Sequence, residues 1–206
     1  MYNTKNIDKL EAQCFLDTIC GKRNTPQFFQ IFDDFKGDIS PNNIIPENRY
    51  GTLDELSTWL TQKNTNGAGI YVTINETNGA ARTKENIISV RSVYADIDDH
   101  NPRTFPLEPT LIVQTKNGTQ AYWILKDKCP ILEFSKIQKR IIAHLGSDNT
   151  VFDLPRVMRV PGFYHLKDPN DPFQIKIKAH SSILYTYNEI CEAYPEIKHK
   201  EKGHNL

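Results

Sequence analysis

The sequence lacks a long apolar run, paired cysteines and an excess of either charge. No stretch approaches the roughly 20 apolar residues of a membrane-spanning helix, and the first residues, Met1–Asn6, contain no apolar signal core. We therefore expect a cytoplasmic protein with no membrane partner. Its four cysteines are scattered without a C-x-x-C pair, which disfavours a zinc knuckle and a disulfide framework and leaves reduced structural thiols.

The absence of net charge narrows the range of functions. The 25 basic residues are matched by 25 acidic ones, whereas a generic nucleic-acid binder is often basic overall. The balance argues mildly against such a binder and leaves room for a local basic patch. The 206 residues suffice for one large domain or two small ones packed together, and neither an internal repeat nor a low-complexity block interrupts them.

Hydrophobic spacing predicts a mixture of helices and strands. Helical spacing occurs at 7–20, 52–63, 130–146 and 183–194, and strand patterns occur at 28–33, 69–75, 93–99, 110–125 and 173–178. Segment 36–48 is predicted to be a loop, and Asn117-Gly118 predicts the turn of an antiparallel hairpin over 110–125. Alternation in that hairpin predicts that one of Tyr122 and Trp123 lies in the core, and stacking of the other on a base is the less favoured alternative. Because strands and helices interleave without a regular βαβ period, the predicted class is α+β.

One predicted strand, Val93–Asp99, alternates apolar side chains with a face that carries Asp96 and Asp98. Residues i and i+2 share a face of a strand, so Asp96 and Asp98 stand side by side with their Cα atoms roughly 6.5–7 Å apart. Two such carboxylates repel each other, and a fold tolerates them most easily with a divalent cation between them. The competing interpretation is a solvated strand end that runs into a turn at Asp99, which faces away from the pair.

Further charged residues follow between positions 148 and 167. Two are acidic candidates, Asp148 and Asp153, and three are basic, Arg156, Arg159 and Lys167. Phosphoryl transfer requires carboxylates that hold two divalent ions and cations that neutralise a triphosphate. The alternatives are capping or turn carboxylates for the acids and surface ion pairs for the arginines.

Three ordered motifs resemble those of the archaeo-eukaryotic primase superfamily. The first ends in Asp96-Ile97-Asp98, the second contains Asn117-Gly118-Thr119-Gln120-Ala121-Tyr122-Trp123, and the third contains Arg156-Val157-Met158-Arg159-Val160-Pro161-Gly162. D-x-D alone is a weak signal, but the ordered set is specific. Within the superfamily, the chain resembles the RepB-type primase domains of plasmids, phages and CRISPR-linked primase-polymerases, over about residues 28–178.

The resemblance implies a set of catalytic and nucleotide-binding residues. Asp96 and Asp98 would bind two Mg²⁺ or Mn²⁺ ions, and Asp148 is preferred over Asp153 as the third metal ligand and catalytic carboxylate. The implied nucleotide-binding residues are Thr115, Lys116, Gln120, Arg156, Arg159, His165 and Lys167. Arginine suits a triphosphate because its planar, permanently charged guanidinium binds phosphate bidentately. Thr115 and Gln120 stand near the places of a Ser-x-His pair in the superfamily, so a neutral amide replaces an imidazole.

The fold implied by the resemblance is a primase core, an RRM-like mixed sheet with flanking helices and a smaller N-terminal α/β unit. One catalytic domain would span 1–206, with a helical extension at 1–27, a core at 28–178 and a flexible tail at 195–206. The implied activity is template-directed joining of NTPs or dNTPs on single-stranded DNA, in plasmid, phage or CRISPR-linked systems, with a helicase domain or replication protein as a candidate partner. The alternatives are a catalytically weak module that binds single-stranded nucleic acid and a metal-dependent nuclease.

Overall fold

The computed structural model describes residues 6–35, 43–101, 103–168 and 170–197 of the chain. The predicted flexible tail lies outside the described residues beyond position 197, as does most of the predicted loop 36–48. None of the helices within the described ranges is long and apolar enough to cross a membrane.

In the described part of the chain, four α-helices flank the sheets. They are α1 (Lys9–Cys20), α2 (Leu53–Thr65), α3 (Phe134–Leu145) and α4 (Tyr187–Ala193). Capping boxes begin two of them, because Thr52 and Glu55 exchange side-chain to backbone hydrogen bonds ahead of α2, and Thr186 and Glu189 do so ahead of α4. Helix α3 ends at Gly146, whose positive φ of 62° suits a residue without a side chain.

The strands build two larger sheets and one short ladder. The described strands are β1 (Gln27–Asp33), β2 (Glu47–Gly51), β3 (Ala68–Thr73), β4 (Glu76–Thr77), β5 (Ile87–Ile97), β6 (Leu111–Gln114), β7 (Thr119–Cys129), β8 (Val157–Arg159), β9 (Tyr164–His165), β10 (Phe173–Gln174) and β11 (Lys176–His180). One sheet has the order β2-β1-β3-β8, the other has the order β11-β6-β7-β5-β4, and β9 pairs with β10. Neighbouring strands run antiparallel. Antiparallel sheets with flanking helices confirm the predicted α+β class.

The predicted hairpin forms as β6 and β7 and lies beside the acidic strand. Strand β7 pairs with β5 so that Asp96 is opposite Gln120 and Ile97 is opposite Thr119. At Gly118, a Cβ atom would lie 1.8 Å from the Ile97 carbonyl oxygen. The turn therefore requires glycine in order to bring Gln120 next to Asp96.

The acidic strand β5 runs through the core. Tyr94 is fully buried, as are its neighbours Val93 and Ala95, so both faces of the strand are covered ahead of its acidic end. The Gln138 amide of α3 donates to the Tyr94 carbonyl and accepts the Tyr94 N–H, each at 3.0 Å. The same amide donates to the Val151 carbonyl, so α3 ties the segment that follows it to β5.

The prediction that alternation leaves only one of Tyr122 and Trp123 in the core is wrong. Both rings are fully buried. Tyr122 contacts Phe15 of α1 edge-on, and Trp123 contacts Tyr194 in the same way. Because elements pack on both faces of the sheet here, alternation along β7 does not separate core from solvent.

Several predicted elements differ in extent from those observed. The strand at 173–178 divides at Ile175, whose N–H donates to the Phe163 carbonyl, so β10 and β11 belong to different sheets. The last helix begins at Tyr187, later than predicted, because Tyr185 still exchanges backbone hydrogen bonds with β7. Strand β2 begins within the segment predicted as a loop, since it pairs with β1.

Candidate active site

A cleft of about 790 Å³ lies between the two larger sheets. Among the described residues, five acidic side chains line it, Asp33, Asp34, Asp96, Asp98 and Asp153. Four basic side chains line it as well, Arg82, Arg156, Arg159 and Lys167. The volume is within the range of small-molecule sites. The mixture of charges suits a polyanion that is bound together with cations.

Asp96 lies at the end of β5 and is held by the hairpin. The Gln120 amide lies opposite Asp96 in the sheet and acts to lower the pKa of its carboxylate, as a nearby hydrogen-bond donor does. The hydroxyl of the buried Tyr122 donates to Gln120 Oε1 at 2.9 Å. That bond occupies the amide oxygen and directs the amide nitrogen toward Asp96. Gln120, expected near the nucleotide, thus also orients an acidic candidate.

Three carboxylates influence one another at this end of the cleft. Burial, followed by repulsion from Asp98 and Asp148, raises the pKa of Asp96 to about 6 against the opposing effects of Gln120 and Arg159. Asp98 was expected within the strand, but β5 ends at residue 97 and Asp98 is exposed just beyond it. The Asp148 backbone N–H donates to the Asp96 carbonyl at 2.8 Å, which holds the third acid beside the pair.

The two candidates for a third metal ligand have different surroundings. Asp148 neighbours Asp96 and accepts the Thr150 N–H at 2.9 Å, although it is not among the described residues that line the cleft. Asp153 lines the cleft and forms an ion pair with Arg156 Nη2 at 2.5 Å. The surroundings of Asp148 therefore suit a metal ligand, while Asp153 serves as the partner of an arginine.

Asp96 and Asp98 are the carboxylates of the cleft that could hold a metal ion. Within the described ranges, no group of three or more Asp, Glu, His or Cys side chains is arranged to hold a metal ion by itself. Mg²⁺, however, commonly binds through one or two carboxylates together with waters and substrate phosphates. Asp96 and Asp98 fit such a site, because they are hard oxygen donors whose mutual repulsion a cation relieves.

Arg159 is buried against an acid that has no counterpart in the predicted site. Its guanidinium binds Asp34 bidentately, with Nη2 2.7 Å from Oδ1 and Nη1 3.0 Å from Oδ2. It also lies over the Tyr71 ring, 4.6 Å from the centroid. Burial acts to lower the pKa of Arg159, but Tyr71 and Asp34 outweigh it and the pKa is raised. Arg159 is thus an ion-paired arginine that still faces the cleft.

A second arginine, Arg156, is also ion-paired and has a basic neighbour. Arg156 bonds to the Thr150 carbonyl and to Asp153, and Arg82 donates to the Pro155 carbonyl at 2.9 Å. The Nε atoms of both arginines are buried without a hydrogen-bond partner. Arg82 lies in a polar turn without a motif, so no signal in the sequence singled it out.

His165 and Lys167 reach the cleft from β9 and the residues after it. His165 is 5% exposed, and its Nδ1 has no hydrogen-bond partner. Burial, and then the nearby Arg159, lower the pKa of His165 to about 4. The imidazole is therefore neutral at pH 7 and carries one N–H to donate. Lys167 lines the same cleft and is exposed.

Thr115 and Lys116 lie at the turn of the hairpin and point to different partners. Thr115 lines the cleft, and its hydroxyl accepts the Gly118 N–H at 3.1 Å. Lys116 is not among the described residues that line the cleft, because its ammonium group pairs with the Asp171 carboxylate at 3.1 Å. The structure thus brings every predicted nucleotide-binding residue except Lys116 into one cleft.

The sequence of this chain matches a known family over most of its length. The family model described as the RepB DNA-primase N-terminal domain matches residues 48–192. That range contains all three motifs and all the predicted site residues. The curated protein sequences give no match.

Solved structures share the fold. The AEP domain of the cyanophage S-2L primase-polymerase has a TM-score of 0.71 and 16% identity, covering 91% of this chain and 98% of that domain. The crystal structure of primase RepB′ has a TM-score of 0.66 and 17% identity, covering 90% of this chain and 62% of RepB′. The catalytic domain of RepB′ in complex with initiator DNA has a TM-score of 0.63 and 18% identity, covering 89% and 92% of the two chains. These similarities confirm the predicted primase fold.

Proposed function

The chain belongs to the RepB DNA-primase N-terminal domain family and is a DNA primase-type nucleotidyltransferase, and from that premise we propose that it joins NTPs or dNTPs on a single-stranded DNA template by two-metal-ion catalysis. The observation that carries the proposal is that Asp96 and Asp98 share one cleft with Arg159 and Lys167. The proposed setting is replication of a plasmid, phage or related mobile element.

The charges of the cleft support a nucleotide that binds together with metal ions. Acidic residues outnumber basic ones by five to four among the described residues that line the cleft, so a free triphosphate would meet a net negative surface. Asp96 and Asp98 would hold Mg²⁺ or Mn²⁺, with Asp148 completing the site. Bound there, the ions would supply Lewis-acid stabilisation of charge on the attacking and leaving oxygens.

The residues of the chain would bind and orient the nucleotide. Arg159 and Lys167 would contact the triphosphate, and the neutral His165 would donate its N–H to a phosphate oxygen. Gln120 would keep the Asp96 carboxylate in place. In the reaction, the 3′-hydroxyl oxygen of the growing strand bonds to the α-phosphorus and its proton passes to solvent, while the bond from the α-phosphorus to the bridging oxygen breaks and pyrophosphate leaves. Such a displacement depends chiefly on positioning and charge.

DNA is the proposed template. The RepB′ catalytic domain, which shares the fold, has been solved in complex with initiator DNA. The local basic residues of the cleft suit a phosphate backbone as well as a triphosphate. A helicase domain or another replication protein is the proposed partner that would supply the single strand.

The test is synthesis on a defined single-stranded template with Mn²⁺, with and without a primer. We expect wild-type protein to insert the complementary nucleotide opposite each template base, and the double variant Asp96→Asn/Asp98→Asn to be inactive. Asp99→Asn is the matched control, because the Asp99 carboxylate bonds Arg103 at 2.7 Å. Cleavage of the template without synthesis would indicate a nuclease, and metal-independent strand binding without incorporation would indicate a binding module. Either result overturns the proposal.

A further inference from the structure

Asp34, directly after β1, is a buried carboxylate with several donors. The residue is 4% exposed, which is unusual for an acid unless it is paired. It accepts two hydrogen bonds from Arg159, at 2.7 and 3.0 Å, and one from the Leu166 backbone N–H, at 2.9 Å. One carboxylate thus joins β1 to β8 and to the segment that follows β9.

The pairing leaves part of the Arg159 guanidinium available to a ligand. A guanidinium has five N–H groups, and Asp34 accepts from one on Nη1 and one on Nη2. The remaining three N–H groups, including that of Nε, are free of Asp34. Stacking on Tyr71 at 4.6 Å sets the plane of the group. A phosphate can therefore bind Arg159 without displacing Asp34.

The bond to Leu166 fixes the chain between two other residues of the cleft. Leu166 is fully buried, and its neighbours His165 and Lys167 both line the cleft. Because the backbone N–H of the residue between them is held by Asp34, the positions of both side chains are coupled to the same carboxylate.

Gly69 on β3 leaves the space that the ion pair occupies. A Cβ atom at this position would lie 2.4 Å from Asp34 Oδ1 and 2.8 Å from Arg159 Nη1. An alanine would therefore push the pair aside without changing any charge. This provides a second way to disturb the arrangement, independent of substituting Asp34 itself.

We propose that Asp34 is a positioning residue that presents Arg159, His165 and Lys167 to the phosphates of the bound nucleotide. The inference rests on the proposed function and deepens it, because in it the β2-β1-β3-β8 sheet orients the phosphate-binding groups. Asp34 acts through Arg159 and the Leu166 backbone and touches neither the substrate nor the metal ions.

The test is calorimetric titration of wild type and Asp34→Asn with an α,β-imido nucleoside triphosphate in the presence of Mn²⁺. We expect the dissociation constant to rise about tenfold in Asp34→Asn, by analogy with residues that orient ligands of a site. Asp127→Asn is the matched control, since it removes the same charge while its carboxylate accepts the Tyr187 N–H at 2.8 Å and is not among the described residues that line the cleft. In this control variant the dissociation constant should change by no more than about twofold.

Two further variants separate positioning from folding. Gly69→Ala should also weaken nucleotide binding. If Asp34→Asn does not fold, Gly69→Ala tests the positioning role in its place. In an Arg159→Gln background, Asp34→Asn should cause much less additional loss of nucleotide affinity than it does in wild type. The reason is that Arg159, through which Asp34 mainly acts, is absent there. An undiminished loss in that background would overturn the assignment.

Failure of the assignment can be told apart from failure of the proposed function. If wild type binds the nucleotide analogue while Asp34→Asn and Gly69→Ala bind it equally well, the positioning role is overturned and the nucleotidyltransferase proposal stands. If wild type binds no nucleotide with Mn²⁺, both are overturned. Thermal unfolding of each variant in the absence of ligand identifies any that are unfolded.

Discussion

The cleft has two sides that handle charge in opposite ways. On the carboxylate side, formed by Asp96 and Asp98 with Asp148 adjacent to Asp96, burial and then repulsion between like charges raise the pKa of Asp96 to about 6. On the arginine side, formed by Arg159, Asp34 and Tyr71, the buried cation is already matched by a carboxylate. Under the proposed function, cations from solution would complete the carboxylate side, whereas the protein itself supplies the partner of the arginine on the arginine side.

This difference separates catalysis from stability within one site. Removing a charge from the carboxylate side relieves repulsion, so it should cost activity without costing stability. Removing a charge from the arginine side leaves its partner buried and unpaired, so it should lower both the activity and the stability. Substitutions on the two sides therefore test the comparison directly.

The largest expected effect is on the carboxylate side. Asp96→Asn should lower the rate of template-directed synthesis by more than about 100-fold, since even residues that only orient metal ligands contribute about 10–100-fold. The melting temperature should not fall, because repulsion with Asp98 and Asp148 is removed. Primer extension and thermal unfolding measure the two quantities. A variant that loses activity and unfolds at a much lower temperature would contradict this account.

On the arginine side, Asp34→Ala should lower the free energy of unfolding by about 3–5 kcal/mol, the usual cost of breaking a buried ion pair. The Asp34 and Arg159 side chains are only 3% and 13% exposed, so solvent screens the pair little. Urea denaturation provides the measurement. Asp99→Ala is the control, because its pair with Arg103 is more exposed and should contribute less than about 1 kcal/mol. Equal losses of unfolding free energy in Asp34→Ala and Asp99→Ala would contradict the distinction between the buried and the exposed ion pair.

A smaller effect is expected where the hairpin supports the carboxylate side. Tyr122→Phe removes the hydroxyl that orients Gln120 toward Asp96, and should reduce Mn²⁺-dependent synthesis by about tenfold. Tyr94→Phe is the matched control, because the Tyr94 hydroxyl is buried without a hydrogen-bond partner. Steady-state rates at saturating nucleotide compare the two. Similar rates in both variants would show that the hydroxyl of Tyr122 does not matter.

A further expected effect concerns pH. The pKa of His165 is lowered to about 4 from an ordinary 6.5, so between these values the unfolded chain binds more protons than the folded protein. Stability should therefore fall as pH decreases from 6.5 toward 4, and His165→Gln should flatten part of that slope. Urea denaturation of the wild type and of His165→Gln at several pH values measures this slope. An unchanged slope in the variant would mean that His165 is not the group responsible.

The carboxylate side was easier to predict from the sequence than the arginine side. Asp96 and Asp98 are two residues apart, and Gln120 follows a recognisable Asn-Gly turn, so local patterns bring them together. Asp34 and Arg159 are 125 positions apart. Their contact depends on β1 and β8 both flanking β3, an order that no local pattern encodes.

Local patterns also failed where the sheet is covered on both faces. Alternation along β5 and β7 suggested one polar face, but Tyr94 and Trp123 are both fully buried because elements pack on either side. Spacing alone left Asp148 and Asp153 as competitors. The backbone bond from Asp148 to Asp96 distinguishes their surroundings, and it joins segments that are distant in the sequence.

The most direct test of the comparison is binding of an α,β-imido nucleoside triphosphate to the wild-type protein, measured by calorimetry with Mn²⁺ and again with EDTA. The account predicts binding with Mn²⁺ and a loss of at least about tenfold in affinity with EDTA, because acidic side chains outnumber basic ones in the described lining of the cleft. In Asp96→Asn/Asp98→Asn, whatever affinity remains should be the same under both conditions. Equal affinity of the wild type with Mn²⁺ and with EDTA would contradict the account.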